Sequence, residues 1–368
     1  MNEKPLLLKI LLWPISLLYK GVVTLRNIFF DCGILPSKAF DVPIISVGNL
    51  TVGGTGKTPF SEFLIRHLIK EHKVGFLSRG YKRDSKGFQI VTTESGAKKA
   101  GDEPYQVKQK FPEVIVAVDA DRRRGISKMI KEPKEAPSII ILDDAFQHRY
   151  VKPDISILLI DYNRMVTEDK MLPLGNLREP VSSLVRADII IVTKCPADTP
   201  SIEFRIIKKN LKPYPYQELF FTTQEYDEPV ALFPDVALKC TADADTTVLT
   251  LTGIASPHTF EEHVKNFSKE IVTLNFSDHH NFKKSDLSKV ETKFNDIENE
   301  KKIILTTEKD AVRLKSLDFF PDALKPYIFY IPLHIVFLQD EKKFYKNIKD
   351  HLFNKKFNSQ FSNKTLKR

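Results

Sequence analysis

Short apolar runs alternate with amphipathic stretches along most of the chain, which is the pattern of an α/β protein. In the first part of the sequence these runs lie at 42–47, 73–77, 114–118, 138–142, 155–160 and 189–192. Because most positions in each run are apolar, the runs predict strands that are buried on both faces. Such strands form a mostly parallel sheet with helices on both sides, and we therefore predict that fold class.

The pattern changes near residue 219 and predicts a second, smaller α/β unit. Two short runs at 220–223 and 230–233 flank a polar segment that ends in Pro229, which predicts a hairpin linker. Beyond it, we predict strands near 247–252, 271–275, 302–306 and 328–332, and helices near 258–268, 284–297, 309–315 and 339–352. The predicted division of the chain is an N-terminal helix (1–30), a larger α/β domain (31–218), the linker (219–238), a smaller α/β domain (239–354) and a basic tail (355–368).

The first 30 residues predict an apolar helix. On a helical wheel, its polar side chains share one narrow stripe, formed by Lys9, Ser16, Lys20, Thr24 and Asn27. The longest charge-free run, 10–19, is shorter than the about 20 residues that cross a bilayer, and no signal-peptide cleavage site follows it. Two interpretations stay open: a helix on a membrane surface, which we favour, and a helix packed on the protein's own core.

The composition narrows the choice of partners. Lys and Arg (56) outnumber Asp and Glu (47) in the 368 residues, which favours an anionic partner such as a phosphorylated substrate or an acidic membrane. No nucleic-acid-binding signature accompanies this charge, so we expect no nucleic-acid partner. Cys32, Cys195 and Cys240 are widely separated, which predicts a reducing compartment and no cysteine metal site.

The strongest chemical pattern is a strand, a glycine-rich turn and a helix between residues 42 and 70. We predict that the turn is a nucleotide phosphate-binding loop formed by Thr51, Val52, Gly53, Gly54, Thr55, Gly56, Lys57 and Thr58. Lys57 is expected to contact the β- and γ-phosphates, and the Thr58 hydroxyl to bind Mg²⁺. The usual P-loop motif has glycine where Thr51 stands, and the glycine-shifted variant has lysine where Val52 stands. A glycine turn with a chance Lys-Thr is the alternative.

Several other polar segments are candidates for the same site. The strand at 138–142 ends in Asp143 and Asp144, the Walker B pattern that brings a carboxylate to magnesium. Asp102 and Glu103 share a tight turn, which predicts either solvent exposure or a role toward a metal or a proton. Arg178 lies in a loop with proline at both ends. We interpret it either as a phosphate ligand or as a member of a surface ion pair.

Three further segments are more ambiguous. The charged run 119–124 is interpreted as surface. His279, in the Asp-His-His stretch 278–280, is either a proton acceptor oriented by a carboxylate or a solvated loop histidine. Thr307 and Asp310 predict a helix capping box.

Eight stretches together resemble the bacterial tetraacyldisaccharide 4'-kinase family, the lipid A 4'-kinases. They are GNLTVGGTGKTP (48–59), SRGY (78–81), GDEP (101–104), LDDAFQH (142–148), LPLGNLREP (172–180), GIAS (253–256), FSDHH (276–280) and TEKDAV (307–312). The resemblance implies ATP-dependent phosphorylation, with Mg²⁺, of the 4'-hydroxyl of an anionic, acylated glucosamine disaccharide 1-phosphate. It also implies a peripheral or monotopic protein, which we expect to be a monomer, at the cytoplasmic face of the inner membrane.

The resemblance also assigns roles to residues. Asp102 and His279 match the dyad that activates the sugar hydroxyl, and Asp143, Asp144 and Glu103 match the carboxylates around magnesium. Lys57 and Arg178 would neutralise phosphate charge, and His280 receives no role. Because Asp102 and His279 belong to different halves, their meeting predicts a closing motion about the 219–238 linker.

Two other functions remain as alternatives. One is a regulatory P-loop NTPase or a metal-delivery chaperone, which Val52 and the scattered cysteines argue against. The other is a membrane scaffold with a vestigial nucleotide site, which the intact Lys57, Thr58 and Asp143 argue against.

Overall fold

Two sheets organise the chain in a computed structural model that describes residues 5–132, 136–238, 245–254, 257–278 and 280–352. The large sheet has nine strands in the order β14-β8-β7-β6-β1-β5-β2-β4-β3. Its strands are β1 (Ile44–Asn49), β2 (Val74–Ser78), β3 (Gln89–Ile90), β4 (Ile115–Val118), β5 (Ile139–Leu142), β6 (Ile155–Asp161), β7 (Ile189–Thr193), β8 (Glu218–Tyr226) and β14 (Leu333–Phe337). All six strands predicted in the first part of the chain are formed.

The interior of this sheet is parallel, as the apolar runs predict. Strand β1 lies between β5 and β6, with Ile44 opposite Ile140 and Ile45 opposite Ile155. Every residue of β1, β2, β5, β6 and β7 is buried, because helices cover both faces. The only antiparallel pairs among the described strands of this sheet are at its edges, β3 with β4 and β14 with β8.

Helices cover the large sheet on two faces. They are α2 (Lys57–Leu68), α3 (Ala97–Ala100), α4 (Asp102–Lys110), α5 (Arg122–Lys131), a 3₁₀ helix (Val181–Arg186), α6 (Ser201–Leu211) and α10 (341–352). On one face, Phe60 of α2 and Phe344 of α10 pack over β1 and β8 in one apolar cluster. On the other face, Ile126 of α5 and Ile207 of α6 belong to two separate clusters. The predicted fold class is therefore confirmed.

The small sheet has five strands in the order β11-β10-β12-β13-β9. Its elements are β9 (Val230–Ala231), β10 (Thr247–Thr252), α7 (His258–Val264), β11 (Glu270–Asn275), α8 (Lys284–Asn295), β12 (Lys302–Thr307), α9 (Glu308–Lys315), a 3₁₀ helix (Asp322–Tyr327) and β13 (Ile328–Ile331). The four strands predicted in this region are formed. Strand β10 runs parallel to β11 and β12, and Leu249 and Ile304 lie in the apolar core beneath α8 and α9.

The predicted hairpin linker is not formed, because its two strands lie in different sheets. Strand β8 pairs with β7 and β14 in the large sheet, whereas β9 pairs with β13 in the small one. Strand β14 and helix α10 return to the large sheet, so the stretch 333–352 does not belong to the smaller unit. The chain thus crosses between the sheets twice, and the crossings touch where the Asp227 N–H donates to the Pro332 carbonyl at 3.0 Å.

Helix α1 (Leu6–Asp31) has the reverse of the usual amphipathic arrangement. Its buried residues include Ser16 and Asn27 from the predicted polar stripe. The Ser16 hydroxyl donates to the Met171 carbonyl at 2.9 Å, and the Asn27 amide donates to the Glu179 carboxylate at 3.1 Å. The opposite face is apolar and exposed, while Tyr19 and Val23 pack against the apolar core of the large-sheet half.

By length and composition alone, α1 is apolar enough to cross a membrane, and only 6% of its most apolar stretch is buried. Its exposed side chains include Leu7 (78%), Leu11 (68%), Leu18 (71%) and Leu25 (52%).

Candidate active site

The glycine-rich loop lies between β1 and α2, and buried hydrogen bonds attach it to the ends of β1 and β7. Gly53 and Gly56 adopt positive φ angles of 93° and 81°, a conformation that favours glycine. The Asn49 amide donates to the Thr55 hydroxyl, and the Thr193 hydroxyl donates to the Thr55 carbonyl, both at 2.9 Å. The loop therefore leads directly into the N-terminus of α2, whose unpaired backbone N–H groups favour an anion.

Lys57, Asp144 and Arg178 form a charged group in front of this loop. Lys57 Nζ lies 3.4 Å from Asp144 Oδ1, and Arg178 Nη1 lies 3.1 Å from Asp144 Oδ2. Burial by itself would raise the pKa of the Asp144 carboxyl, but Lys57 and Arg178 lower that pKa below its usual value. The Arg178 N–H donates to the Leu50 carbonyl at 2.7 Å, so the 172–180 loop is attached to the end of β1. Asp144 is thus ionised between two cations.

Asp143 occupies a different environment from its neighbour. Its side chain is buried, and Oδ2 accepts a hydrogen bond from the Ser78 hydroxyl at 3.2 Å. Burial, reinforced by Glu103 and Asp144, raises the pKa of the Asp143 carboxyl to about 7. Its Oδ1 atom is buried without a hydrogen-bond partner among the described residues.

This carboxylate cluster fits a hard cation. Mg²⁺ binds carboxylate and hydroxyl oxygens, and Asp143 offers a buried oxygen without a donor beside the carboxylates of Asp144 and Glu103. A dication would also relieve the repulsion that raises the Asp143 pKa. Among the described residues no group of three or more Asp, Glu, His or Cys side chains is placed to hold a metal ion, but Mg²⁺ is usually bound through only one or two carboxylates, and Asp143 fits that role.

Two adjoining cavities open in front of the loop. The larger, of about 760 Å³, is lined by eight of the predicted residues: Val52, Gly53, Gly54, Lys57, Glu103, Asp143, Asp144 and Arg178. The smaller, of about 210 Å³, is lined by Thr55, Gly56 and Thr58, and Lys57 lines both. Asp278 and Lys309 from the small-sheet unit also line both cavities, so the two halves share the site.

Thr51 differs from the other predicted loop residues. It is buried, it lines neither cavity, and its backbone forms an isolated bridge with Leu177. Because Thr51 lies on the side of the loop away from the cavities, its side chain does not limit the approach of a ligand, and glycine is not needed there.

Asp102 is the first residue of α4 and lies next to Glu103, which lines the larger cavity. Asp102 Oδ2 accepts a hydrogen bond from Arg313 Nε of helix α9 at 2.8 Å. Its expected partner, His279, lies outside the described residues. The structure thus brings Asp102 to the boundary between the halves.

His280, which received no role from the sequence, has structural contacts. Its Nε2 atom lies 2.9 Å from Asp286 Oδ2, and its ring stacks on Phe276 with 4.6 Å between centroids. Half of the predicted capping box is observed: the Thr307 hydroxyl accepts the Asp310 N–H at 3.2 Å, but Asp310 Oδ2 accepts the Thr307 hydroxyl and the Gly253 N–H instead of the Thr307 N–H.

Sequence reasoning missed several residues of the site. The run 119–124 was interpreted as surface, yet Arg122 is only 2% exposed, lines the larger cavity and donates to the Asp143 carbonyl at 3.0 Å. Burial lowers the pKa of Arg122 to about 10. The available signal was position, because this run directly follows a buried parallel strand, and such strand ends meet at one edge of the sheet. Six further lining residues lie in stretches that carry the family resemblance but received no role there: Ser78, Arg79, Tyr81, Gln147, His148 and Lys309.

The sequence is similar to that of known proteins over almost its whole length. Residues 8–353 match the family model described as tetraacyldisaccharide-1-P 4'-kinase. A protein of Phocaeicola vulgatus called tetraacyldisaccharide 4'-kinase is 47% identical over 356 residues, which cover 95% of this chain and 97% of that protein. A protein of the same name from Flavobacterium psychrophilum is 43% identical, covering 92% and 95% of the two chains.

A solved structure has the same overall architecture. The crystal structure of LpxK from Aquifex aeolicus in complex with ATP matches with a TM-score of 0.71 and 30% identity, covering 94% of this chain and 99% of that one.

Proposed function

This chain belongs to the tetraacyldisaccharide 4'-kinase family, and from that premise we propose how its own residues carry out the reaction. The enzyme phosphorylates the 4'-hydroxyl of a tetraacyldisaccharide 1-phosphate at the expense of ATP, a step of lipid A biosynthesis. The observation that carries the residue assignment is the cavity itself. It joins the glycine-rich loop, four cations and three carboxylates from the large-sheet half to residues of the small-sheet half.

The glycine-rich loop and α2 are proposed to bind the ATP phosphates. Backbone N–H groups of the loop and the N-terminus of α2 would face phosphate oxygens, and Lys57 would neutralise the β- and γ-phosphates. Arg178 adds a second cation 3.1 Å from Asp144 and can bind a phosphoryl oxygen from the opposite side of the loop. Phosphoryl transfer depends chiefly on positioning and charge neutralisation, which these groups supply.

Asp143, Asp144, Glu103 and the Thr58 hydroxyl are proposed to hold Mg²⁺. When bound, the ion would supply positive charge to the phosphate oxygens. The chain's own contribution is to orient two of these carboxylates, since Ser78 donates to Asp143 and Lys57 pairs with Asp144.

Asp102 and His279 are proposed to accept the proton of the sugar hydroxyl. A carboxylate-oriented histidine acting as a general base contributes typically about 10²–10⁴-fold in rate. The two residues come from different halves, so they act together only when the halves are correctly aligned. We propose that the halves close about the paired crossings at Asp227 and Pro332, which take the place of the predicted hairpin as the hinge.

Helix α1 is proposed to hold the enzyme, as a monomer, on the cytoplasmic face of the inner membrane. Its apolar face is exposed while its inward face is hydrogen-bonded to the large-sheet half, an arrangement that suits a lipid surface. An acylated substrate would then reach the cavity from the side on which its acyl chains are embedded.

The decisive experiment is to incubate the purified protein with Mg²⁺, γ-labelled ATP and tetraacyldisaccharide 1-phosphate in detergent micelles. We expect label to enter the lipid, and none to enter a lipid that lacks the free 4'-hydroxyl. A regulatory NTPase would instead release only free phosphate, at the same rate with either lipid, and that result would exclude the kinase assignment.

A further inference from the structure

Helix α4 of the large-sheet half lies against helix α9 of the small-sheet half, and ion pairs join them at both ends. At one end, Arg313 Nε lies 2.8 Å from Asp102 Oδ2. At the other end, Lys110 Nζ lies 2.6 Å from Glu308 Oε1 and 2.7 Å from Glu62 Oε2. The first pair includes the carboxylate that we place in the proton-accepting dyad, whereas the second does not.

Arg313 is held firmly by its own half. Its side chain is 6% exposed, and Nη1 donates to Asp310 Oδ1 at 2.8 Å and to the Gly253 carbonyl at 3.1 Å. Asp310 is itself fully buried, and its Oδ2 accepts the Gly253 N–H and the Thr307 hydroxyl, both at 2.8 Å. The guanidinium is therefore held by contacts within its own half that are independent of its bond to Asp102.

A planar guanidinium suits this double attachment. Its separate N–H groups can bind two carboxylates at fixed angles, which a lysine ammonium on a flexible stem does less well. Nη1 is bonded within the small-sheet half, and Nε is directed to Asp102 in the large-sheet half. Arg313 thus joins the two halves through the Asp102 carboxylate.

We propose that Arg313 is a positioning residue for phosphoryl transfer, which sets the Asp102 carboxylate relative to the half that carries His279. The proposal rests on the catalytic role given above to Asp102. Arg313 belongs to the same half as Asp278 and His280, the described neighbours of position 279, so an Asp102 bound to Arg313 keeps a constant relation to that half whenever the halves close. The buried Asp310 of the TEKDAV stretch acts through Arg313, beyond its part in the helix cap.

The two ends of the α4–α9 contact provide a matched comparison. Lys110 is eight positions after Asp102 on α4, about 12 Å along the helix axis. Both ion pairs join the halves, but only the first contains Asp102, which is next in sequence to the cavity-lining Glu103, and Lys110 of the second pair lines neither cavity. Loss of either pair weakens the contact, whereas only loss of the Arg313 pair misplaces the dyad, and a misplacement of about 1 Å can cost about 100-fold in rate.

The test is a double-mutant cycle between Asp102→Asn and Arg313→Met, with kcat and KM measured in the lipid kinase assay. We expect Arg313→Met to lower kcat at least about tenfold, with KM for ATP changed less than about threefold, because the phosphate-binding loop is intact. In the Asp102→Asn background the same substitution should lower kcat less than about twofold, since its effect passes through Asp102. Arg313→Lys should recover part of the lost rate.

Lys110→Met is the control, since it removes the cation of the other ion pair of the same two helices and Lys110 lines neither cavity. We expect its kcat within about twofold of the parent. Melting temperatures show whether each variant is folded at the assay temperature, and if Arg313→Met is not, Arg313→Lys takes its place in the cycle.

The outcomes distinguish this inference from the assignment on which it rests. An active Asp102→Asn enzyme would remove the proposed role of Asp102 itself. An inactive Asp102→Asn enzyme together with a normal kcat for Arg313→Met, or with losses that multiply in the double variant, would overturn the positioning role while leaving the dyad intact.

Discussion

The two halves of the molecule hold their site residues by different means. In the large-sheet half, buried hydrogen bonds fix the groups around the phosphate-binding loop: Asn49 and Thr193 hold Thr55, and Arg122 binds the Asp143 carbonyl. In the small-sheet half, Lys309 reaches the site through longer ion contacts, 3.8 Å to Glu103 and 3.7 Å to Asp278.

This difference separates binding from chemistry. The glycine-rich loop, Lys57 and Arg178 all belong to the large-sheet half, so nucleotide affinity should depend chiefly on that half, although the other half also lines the cavities. Groups that meet across the boundary are effective only in the aligned state, and their loss should appear in kcat. Substitutions on the two sides should therefore give different kinetic signatures.

The largest effect is expected from Lys57→Ala on the large-sheet side. Removal of the ammonium leaves phosphate charge uncompensated and Asp144 with one cation, so we expect kcat/KM for ATP to fall by at least about 1,000-fold. Calorimetry measures the loss of nucleotide affinity, and turnover in the lipid assay measures the loss of kcat. Lys70→Ala, an exposed lysine just beyond the same helix, is the control and should behave as the parent. Near-normal turnover of Lys57→Ala would rule out the loop as the nucleotide site.

The opposite signature is expected from His279→Ala on the small-sheet side. Loss of a general base should lower kcat by about 100-fold or more while ATP affinity stays the same. The neighbouring His280→Ala gives the contrast, because His280 pairs with Asp286 and stacks on Phe276. We expect it to lower the melting temperature and to leave kcat within a few-fold. Should the two variants behave alike, the separation between binding and chemistry would fail.

The same comparison shows what could be predicted from the sequence. The P-loop and the Asp143–Asp144 pair are consecutive residues after apolar strands, so their pattern is local and was predicted. Arg313 and Lys309 act across a boundary between helices that lie 200 residues apart in the chain, and no local pattern marks such a contact.

Two elements show how tertiary structure overrides a local pattern. Residues 220–223 and 230–233 have hairpin spacing, but strand β14 offers β8 an antiparallel partner and β13 offers one to β9. In α1 the polar stripe predicted the helix, but the sequence did not indicate that Ser16 and Asn27 would face the protein and bond to Met171 and Glu179.

Helix α1 is attached to the large-sheet half by hydrogen bonds, so we expect that half to carry the membrane contact. Replacement of Leu11, Leu18 and Leu25 by Gln keeps the inward contacts and removes three exposed apolar side chains. We expect binding to anionic lipid vesicles to fall at least about tenfold, because each buried leucine contributes about 1.5–3 kcal/mol. Cosedimentation measures the bound fraction.

The control for α1 is a pair of exposed apolar residues on another helix, Ile202 and Ile206 of α6, which are 58% and 45% exposed. Their replacement by Gln should leave vesicle binding unchanged. Equal losses from both sets would indicate general surface hydrophobicity and would contradict α1 as the anchor.

The smallest expected effect is on the pH dependence of stability, and it tests whether water reaches His148 in the large-sheet wall of the cavity. Burial, and then the nearby Arg122, lower the pKa of His148 to about 4, and its Nε2 atom is buried without a partner among the described residues. In the unfolded chain the pKa returns to about 6.5, so between pH 6.5 and 4 the unfolded state binds a proton that the folded state does not. His148 therefore lowers stability progressively as the pH falls through that window.

Replacement of His148 by Gln should remove that part of the pH dependence. Between pH 7 and pH 5 we expect the stability of the variant relative to the parent to rise by about 1 kcal/mol, after allowance for the partial exposure of the ring. This corresponds to about 1–2 °C in melting temperature for a chain of this size. His351→Gln, on the exposed face of α10, is the matched control and should show no such change. If His148→Gln and the parent lose stability in parallel as the pH falls, the imidazole is hydrated and the wall around Arg122 is open to water.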